Sequence, residues 1–584
     1  MAVPRRIRSS ARARQIRRRR NITHFSLALI AALFVSSWSY RTASDQTLME
    51  PAAVEAAGLA TPAPLAATPT GAPIAVTAST AGPAGEGSAT PESRATLALP
   101  APTSTLVPEI VLPSLTPTLP PADVQGGSVP PALETPAQGN RQPPILYYTQ
   151  SGDTLDAVAV RFGVLPGEIH SNVQVPAKAF ISPGTLLIIP HVLGQATSNH
   201  ALLPDSELVY SPTAVDFDIR SFVQKAGGFL STDGGRQYMS DTGWTSGADI
   251  VQRVATENSI NPRLLLALLE LRAHWVTGQP SNLAEQYYPI NANLDALHKG
   301  IYYQLTWAVT QLQVGYYSWR EGLLTSITYP DGATRRLAPD LNAGTVALQY
   351  LFSKIENEPQ WNADLYGANG FEKVYNNLFG SPWLRDQSIG SLFPPNLTQP
   401  TLTLPFVVGQ LWSFTGGPHS AWIPDDNGGW AALDFAPATD KSGCGVSDVW
   451  AVAPAAGLVV RSGNGVVMID LDGDGHEETG WDFMFLHIAT EGRVPLGKWV
   501  NAGDLIGHPS CEGGEATGTH MHIARKYNGE WIAADGPLPF TMSGYVAHSL
   551  GKPYEGYLTL GSQKVVACPC GSYETRITRT SSAP

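Results

Sequence analysis

The sequence predicts a multidomain protein: a βααβ module, an all-α region and a C-terminal domain of antiparallel β-sheet, carried behind a long disordered N-terminal stalk. Length is the first observation, since 584 residues exceed what one hydrophobic core holds together. Composition is the second: 48 prolines and 56 glycines are high for a purely globular chain and point to linkers. Texture is the third, passing from aperiodic Ala/Pro/Thr to long apolar helical stretches and then to short β runs broken by Gly, Asp and Pro. The formal net charge is −12, yet residues 1–44 hold ten arginines and no acid, which leaves −22 on the remainder. That balance argues against nucleic acid as a partner and for an asymmetric protein tethered at a membrane.

Residues 1–44 read as a basic tail plus signal anchor. The arginine-rich stretch 5–20 precedes an apolar run from Phe25 through Val35, with Trp38 and Tyr40 where the far interface would lie. The run is about 16 residues, short for a span and long for a signal peptide. A single-pass anchor with the bulk extracytoplasmic is expected, the alternative being secretion after cleavage. Residues 45–143 lack the apolar area to offset their ordering entropy and should form the stalk.

Residues 144–191 form the first ordered unit. Leu146 begins a strand, Asp153 or Thr154 caps a helix through Phe162, and Gly163 ends it. Glu168 to Asn172 is expected as a second short helix and Ile181 to Pro190 as the closing strand. The Ser-Gly-Asp-Thr-Leu run, Phe162-Gly163, Asn172 and the Pro-Gly-x-x-Leu-x-Ile-Pro ending resemble the LysM domain. That resemblance implies binding to N-acetylglucosamine-containing glycans such as peptidoglycan, with Gly152, Asp153, Thr154 and Ile181 at the site.

The helical region spans 215–385. Ile250, Val251, Val254 and Ala255 make one apolar face, Asn261-Pro262 interrupts, and Leu264 to Leu271 is apolar nearly all round, which places it centrally. Further helices are expected at Leu305 to Trp319 and Ala343 to Ile355. The Asn261 to Glu270 stretch loosely resembles the lysozyme-like lytic transglycosylases. The position of that family's catalytic Glu is Arg272 here, and a guanidinium is no general acid, so a degenerate, non-catalytic domain is implied. Glu270 and Glu257 are the other carboxylates nearby. Tyr302, Tyr303, Trp307, Tyr316, Tyr317 and Trp319 suit either sugar stacking or core packing.

Residues 405–545 carry the chemistry, with 546–584 expected as a C-terminal tail. Gly518-Thr-His520-Met-His522 leads into a strand, and alternation puts both imidazoles on one face, in one small volume. Imidazole is the commonest protein ligand for zinc. Gly416-Gly-Pro-His419 places a histidine on a turn, Leu433-Asp434-Phe435 places a carboxylate at a strand start, and Phe485-Leu-His487 ends a strand in a further histidine. Cys444 and Cys511 flank this set and could pair in an oxidising compartment.

The order His, Asp, Leu-His, Gly-x-His-x-His over residues 410–540 resembles the lysostaphin-type zinc endopeptidases, which cleave peptide cross-links of bacterial walls. The resemblance implies His419, Asp434 and His522 as zinc ligands and His487 and His520 as the catalytic pair. Three protein ligands leave a fourth position for water, which the metal acidifies. Fourteen residues separate His419 from Asp434, against about three in the family, so Asp425 and Asp426 compete with Asp434 for the ligand role. Asp470, Asp472 and Asp474 have the spacing of a calcium loop, with Trp481 where an EF-hand has Glu; the other reading is a hairpin tip using Asp-Gly turn chemistry. The function expected is that of an exported, zinc-dependent peptidoglycan hydrolase; its rival is a non-catalytic wall-binding protein or an activator of other hydrolases.

Overall fold

A computed structural model describes residues 142–292, 294–422, 429–438 and 443–581. The expected anchor, all but the end of the stalk, and Asp425 and Asp426 lie outside the described residues. Among the described residues no helix is long and apolar enough to cross a membrane.

In the first unit β1 (Ile145–Tyr148) pairs antiparallel with β2 (Leu186–Ile189), and α1 (Leu155–Phe162) packs across them. Thr154 is the N-cap, accepting from the Ala157 N–H, and Gly163 ends the helix at φ 69°. The second helix expected over 168–172 does not form. Pro166–Glu168 makes a single 3₁₀ turn, and His170 is drawn into a bridge with Ile188, so its backbone bonds go to the strand instead.

The helical region contains α2 (Gly247–Asn258), α3 (Pro262–Ala273), α4 (Ile301–Arg320) and α5 (Ala343–Ser353) among shorter helices. Asn261 caps α3 through its side chain, with Pro262 at the first helical position, where its missing N–H costs nothing. α4 and α5 approach closely at Gly315, where an added Cβ would lie 2.9 Å from the Ala347 Cα. The region is not all-α: Gln237–Met239 pairs with Gly243–Thr245, and Ser326–Thr328 with Thr334–Arg336. Of the aromatics considered for sugar stacking, Tyr316, Tyr317 and Trp319 are buried, Tyr302 and Trp307 are half-buried and Tyr303 is exposed.

The β domain is built on β3 (Leu411–His419), β4 (Ala432–Pro437), β5 (Gly457–Gly463), β6 (Val466–Asp470), β7 (Trp481–Leu486), β8 (Trp499–Val500) and β9 (Met521–Tyr527). Beyond them lie β10 (Tyr545–Lys552), β11 (Glu555–Leu560), β12 (Gln563–Val566) and β13 (Arg576–Thr578). The main antiparallel sheet runs β8-β5-β6-β7-β9-β4-β3-β13. Residues 546–581, expected as a tail, are therefore part of the fold: β10, β11 and β12 form a four-stranded antiparallel sheet with Thr541–Met542, and β13 pairs with β3. Alternation divides the main sheet. Leu433, Phe435, Phe483, Phe485 and Ile523 face the domain's own core, whereas Ala432, Met468, Met484, Leu486 and Ala524 join the core of the helical region. The helical region and the sheet thus share one hydrophobic core.

Candidate metal and catalytic site

The site lies on the sheet face that the helical region covers farther along. Cross-strand partners run Leu486, His522, Asp434, Gly416 over β7, β9, β4 and β3. Directly opposed residues share a face, so His522 and Asp434 meet. Gly416 leaves the room: a Cβ there would lie 2.6 Å from Asp434 Oδ2. Strict alternation would turn His419 to the opposite face from residue 416, but the register shift between Gly416 and His419 brings it back. The expected turn at Gly416 to His419 is thus the bulged end of a strand.

His419 Nε2 lies 3.3 Å and His522 Nδ1 3.2 Å from Asp434 Oδ1, and the two nitrogens are 3.0 Å apart. Backbone carbonyls set the tautomers, because a carbonyl only accepts. His419 donates Nδ1–H to Gly417 O (2.8 Å) and His522 donates Nε2–H to Ala421 O (2.9 Å). Both inward nitrogens are then lone pairs, facing each other and a carboxylate oxygen that accepts no hydrogen bond from the described residues. Burial pushes His522 down and so keeps it neutral, with its inward lone pair free. Three converging lone pairs with net negative charge call for a cation. Two imidazoles and one carboxylate form the donor set that zinc takes in three-ligand sites.

His520 and His487 stand beside this cluster. His520 Nε2 is 3.8 Å from Asp434 Oδ1, and its ring lies 4.4 Å from that of His487. Each donates Nδ1–H to a carbonyl, Gly518 O at 2.8 Å and Glu512 O at 3.1 Å, which leaves Nε2 open. Burial, together with His520 and His522, pushes His487 down to about 3, so it is neutral at neutral pH. Ser510 bonds the His487 carbonyl and bridges His520. The neighbouring Cys511 is disulfide-bonded to Cys444, and Thr519 ties the same loops to Gly443 and Gly445. Cys568 and Cys570 form a second disulfide.

Sequence reasoning missed Tyr554. It sits in the β10–β11 turn at φ 64° and stacks on His419 with ring centroids 4.0 Å apart, anchored by backbone bonds to Gly417 and Pro418. The Gly-Lys-Pro-Tyr-Glu-Gly turn between two alternating runs was the signal for a hairpin at this place. Other expected residues have different company. Gly152, Asp153 and Ile181 are buried, and Asp153 pairs with Arg161 and Tyr147. Arg272 binds Glu356 and Asp364; Glu270 accepts from Val276 N, Thr277 N and the Thr277 hydroxyl; Glu257 is bound by Arg253 and Tyr302. Asp470, Asp472 and Asp474 cluster at a hairpin tip, where Asp470 accepts the N–H groups of Asp472, Gly473 and Gly475.

Residues 201–395 match the family model described as LasA, N-terminal domain. Protease LasA of Pseudomonas aeruginosa, in strains UCBPP-PA14 and PAO1, is 26% identical over 303 residues, 48% of this chain and 65% of the relative. The match therefore spans just under two thirds of that protease. Among solved structures, the M23 metalloprotease pseudoalterin from the deep sea is 22% identical with a TM-score of 0.24, covering 29% of this chain and 96% of that one. The catalytic domain of lysostaphin from Staphylococcus simulans is 18% identical with a TM-score of 0.15, covering 21% and 87%. Scores this low carry no argument about this chain, whose chemistry rests on its own side chains.

Proposed function

We propose that the chain is an exported, zinc-dependent endopeptidase that cleaves peptide cross-links of the bacterial cell wall. The observation that carries this is the convergence of His419 Nε2, Asp434 Oδ1 and His522 Nδ1 with two further imidazoles beside them. Similarity to a protease supports the class of reaction. His419, Asp434 and His522 would hold the ion. Zinc, when bound, supplies Lewis acidity and lets water act as a nucleophile at neutral pH. His520 and His487, each with Nε2 open, take up the proton released in the attack and return it to the leaving amine. Once protonated, they also stabilise the oxyanion developing on the amide. Tyr554, stacked on His419, borders the space that the substrate enters. In this reading the helical region is non-catalytic, the first unit is a glycan-binding module, and residues 1–44 anchor the chain with its bulk outside the membrane.

The test is zinc content together with digestion of purified sacculi. It requires the whole chain, because the helical region and residues 546–581 complete the core and the sheet. One zinc per chain with release of uncrosslinked peptides is expected; stoichiometric zinc with intact cross-links would remove the peptidase reading.

A further inference from the structure

We propose that the helical region seals the sugar-binding edge of the first unit, so that glycan binding and docking exclude one another. The proposal rests on the reading of that unit as a glycan-binding module. The edge at issue lies between the β1–α1 turn and the segment that leads into β2.

Each part of this edge is occupied. Gly152 faces Arg320 so closely that an added Cβ would lie 2.2 Å from its Nη1. Phe180 packs its ring against Phe393 at 5.3 Å, and the Phe393 N–H donates to Ser151 Oγ at 3.4 Å. Gln150 Nε2 donates to Asp340 O at 3.2 Å. Behind the edge, Arg336 donates to the carbonyls of Val160 and Arg161, holding the C-terminal end of α1 against the helical region. In the glycan-binding reading the site includes Gly152 and Ile181 on this edge, so a saccharide cannot enter while the edge is covered.

The contact is also built to separate. Arg320 is held by Asp205 and Glu530 at 3.0 Å each and by the Tyr316 hydroxyl at 2.9 Å, none of which belongs to the module. Undocking therefore leaves the guanidinium paired, and no buried charge is stranded. What is lost is the Phe180–Phe393 contact, Arg161 over the Trp319 ring at 5.2 Å, the packing of Gly322 on Ala157 and a few hydrogen bonds, so a ligand opens the edge only if its differential affinity exceeds these.

The test titrates the full chain with a β-1,4-linked N-acetylglucosamine pentamer by calorimetry while hydrogen exchange reports on residues 149–154 and 178–182. Phe393→Ser and Arg336→Ala both leave the module's own residues untouched, and Arg336→Ala serves if the other variant misfolds. Both should exchange faster at the edge and bind the pentamer at least tenfold more tightly than the parent. Equal affinity in parent and variants would overturn the seal and keep the glycan reading. An edge opened by exchange that still binds no pentamer would overturn the glycan reading, and the seal with it. Unchanged exchange in both variants would show that these contacts do not close the edge.

Discussion

Two buried polar clusters, one in the sheet and one in the helical region, differ in a single respect. Arg272 stands between Glu356 and Asp364, so that cluster contains its own cation. His419, Asp434 and His522 are as deeply buried, yet their inward atoms are all lone pairs. Buried charge persists only when compensated. A cluster whose compensation is internal is structural, whereas one that lacks it has a place for something from outside.

The largest effect that could break this contrast is loss of the external cation. His522→Ala, or a strong chelator on the parent, should bring zinc well below stoichiometric and cleavage to background, with metal analysis and sacculus digestion on the same samples; stoichiometric zinc in His522→Ala would sink its role as a ligand. Next, Arg272→Met should destabilise the chain by about 3 kcal/mol in denaturant titrations, because the buried Glu356 and the half-buried Asp364 lose their partner, while zinc content stays unchanged. A fall in zinc would mean that the two clusters are not independent.

Third, His520→Ala and His487→Ala should retain zinc while turnover falls about 100-fold, close to 2.7 kcal/mol in the barrier. Metal loss equal to that of His522→Ala would erase the division between ligands and catalysts. The smallest effect sharpens the contrast through pH. Burial, opposed by Arg272, pushes Glu356 up to about 7 from an ordinary 4.5. Its folded value lies above its unfolded one, so its contribution to stability is full below about 4.5 and is lost as pH rises toward 7. Glu356→Gln should flatten the stability profile in that window, and an unchanged slope would show that another group sets it.

Helices α2 to α5 were legible in the sequence because caps and apolar periodicity are local: Asn261-Pro262 opens α3 wherever the rest of the chain lies. That His520 and His522 share a face was legible too, since strand alternation is also local, whereas the roles of His419, Asp434 and His487 came from the motif order that the resemblance supplied. The second helix of the first unit was not, because a bridge to Ile188 competed for His170. Nor was the strand ending at His419, where one register shift, invisible in a Gly-Gly-Pro run, redirects the side chain.

The sequence by itself determined which residue types are available to the site and that His520 and His522 can share a face, since these follow from identity and a period of two. The carbonyls of Gly417 and Gly518, two residues away, orient His419 and His520 locally, whereas only the tertiary structure decided which nitrogen of His522 and of His487 looks inward, through the carbonyls of Ala421 and Glu512. It also decided that Tyr554 covers His419 and that Phe393 and Arg320 cover the edge at Gly152. Those contacts join residues far apart in the chain, and such pairings arise from packing, on which no local pattern bears.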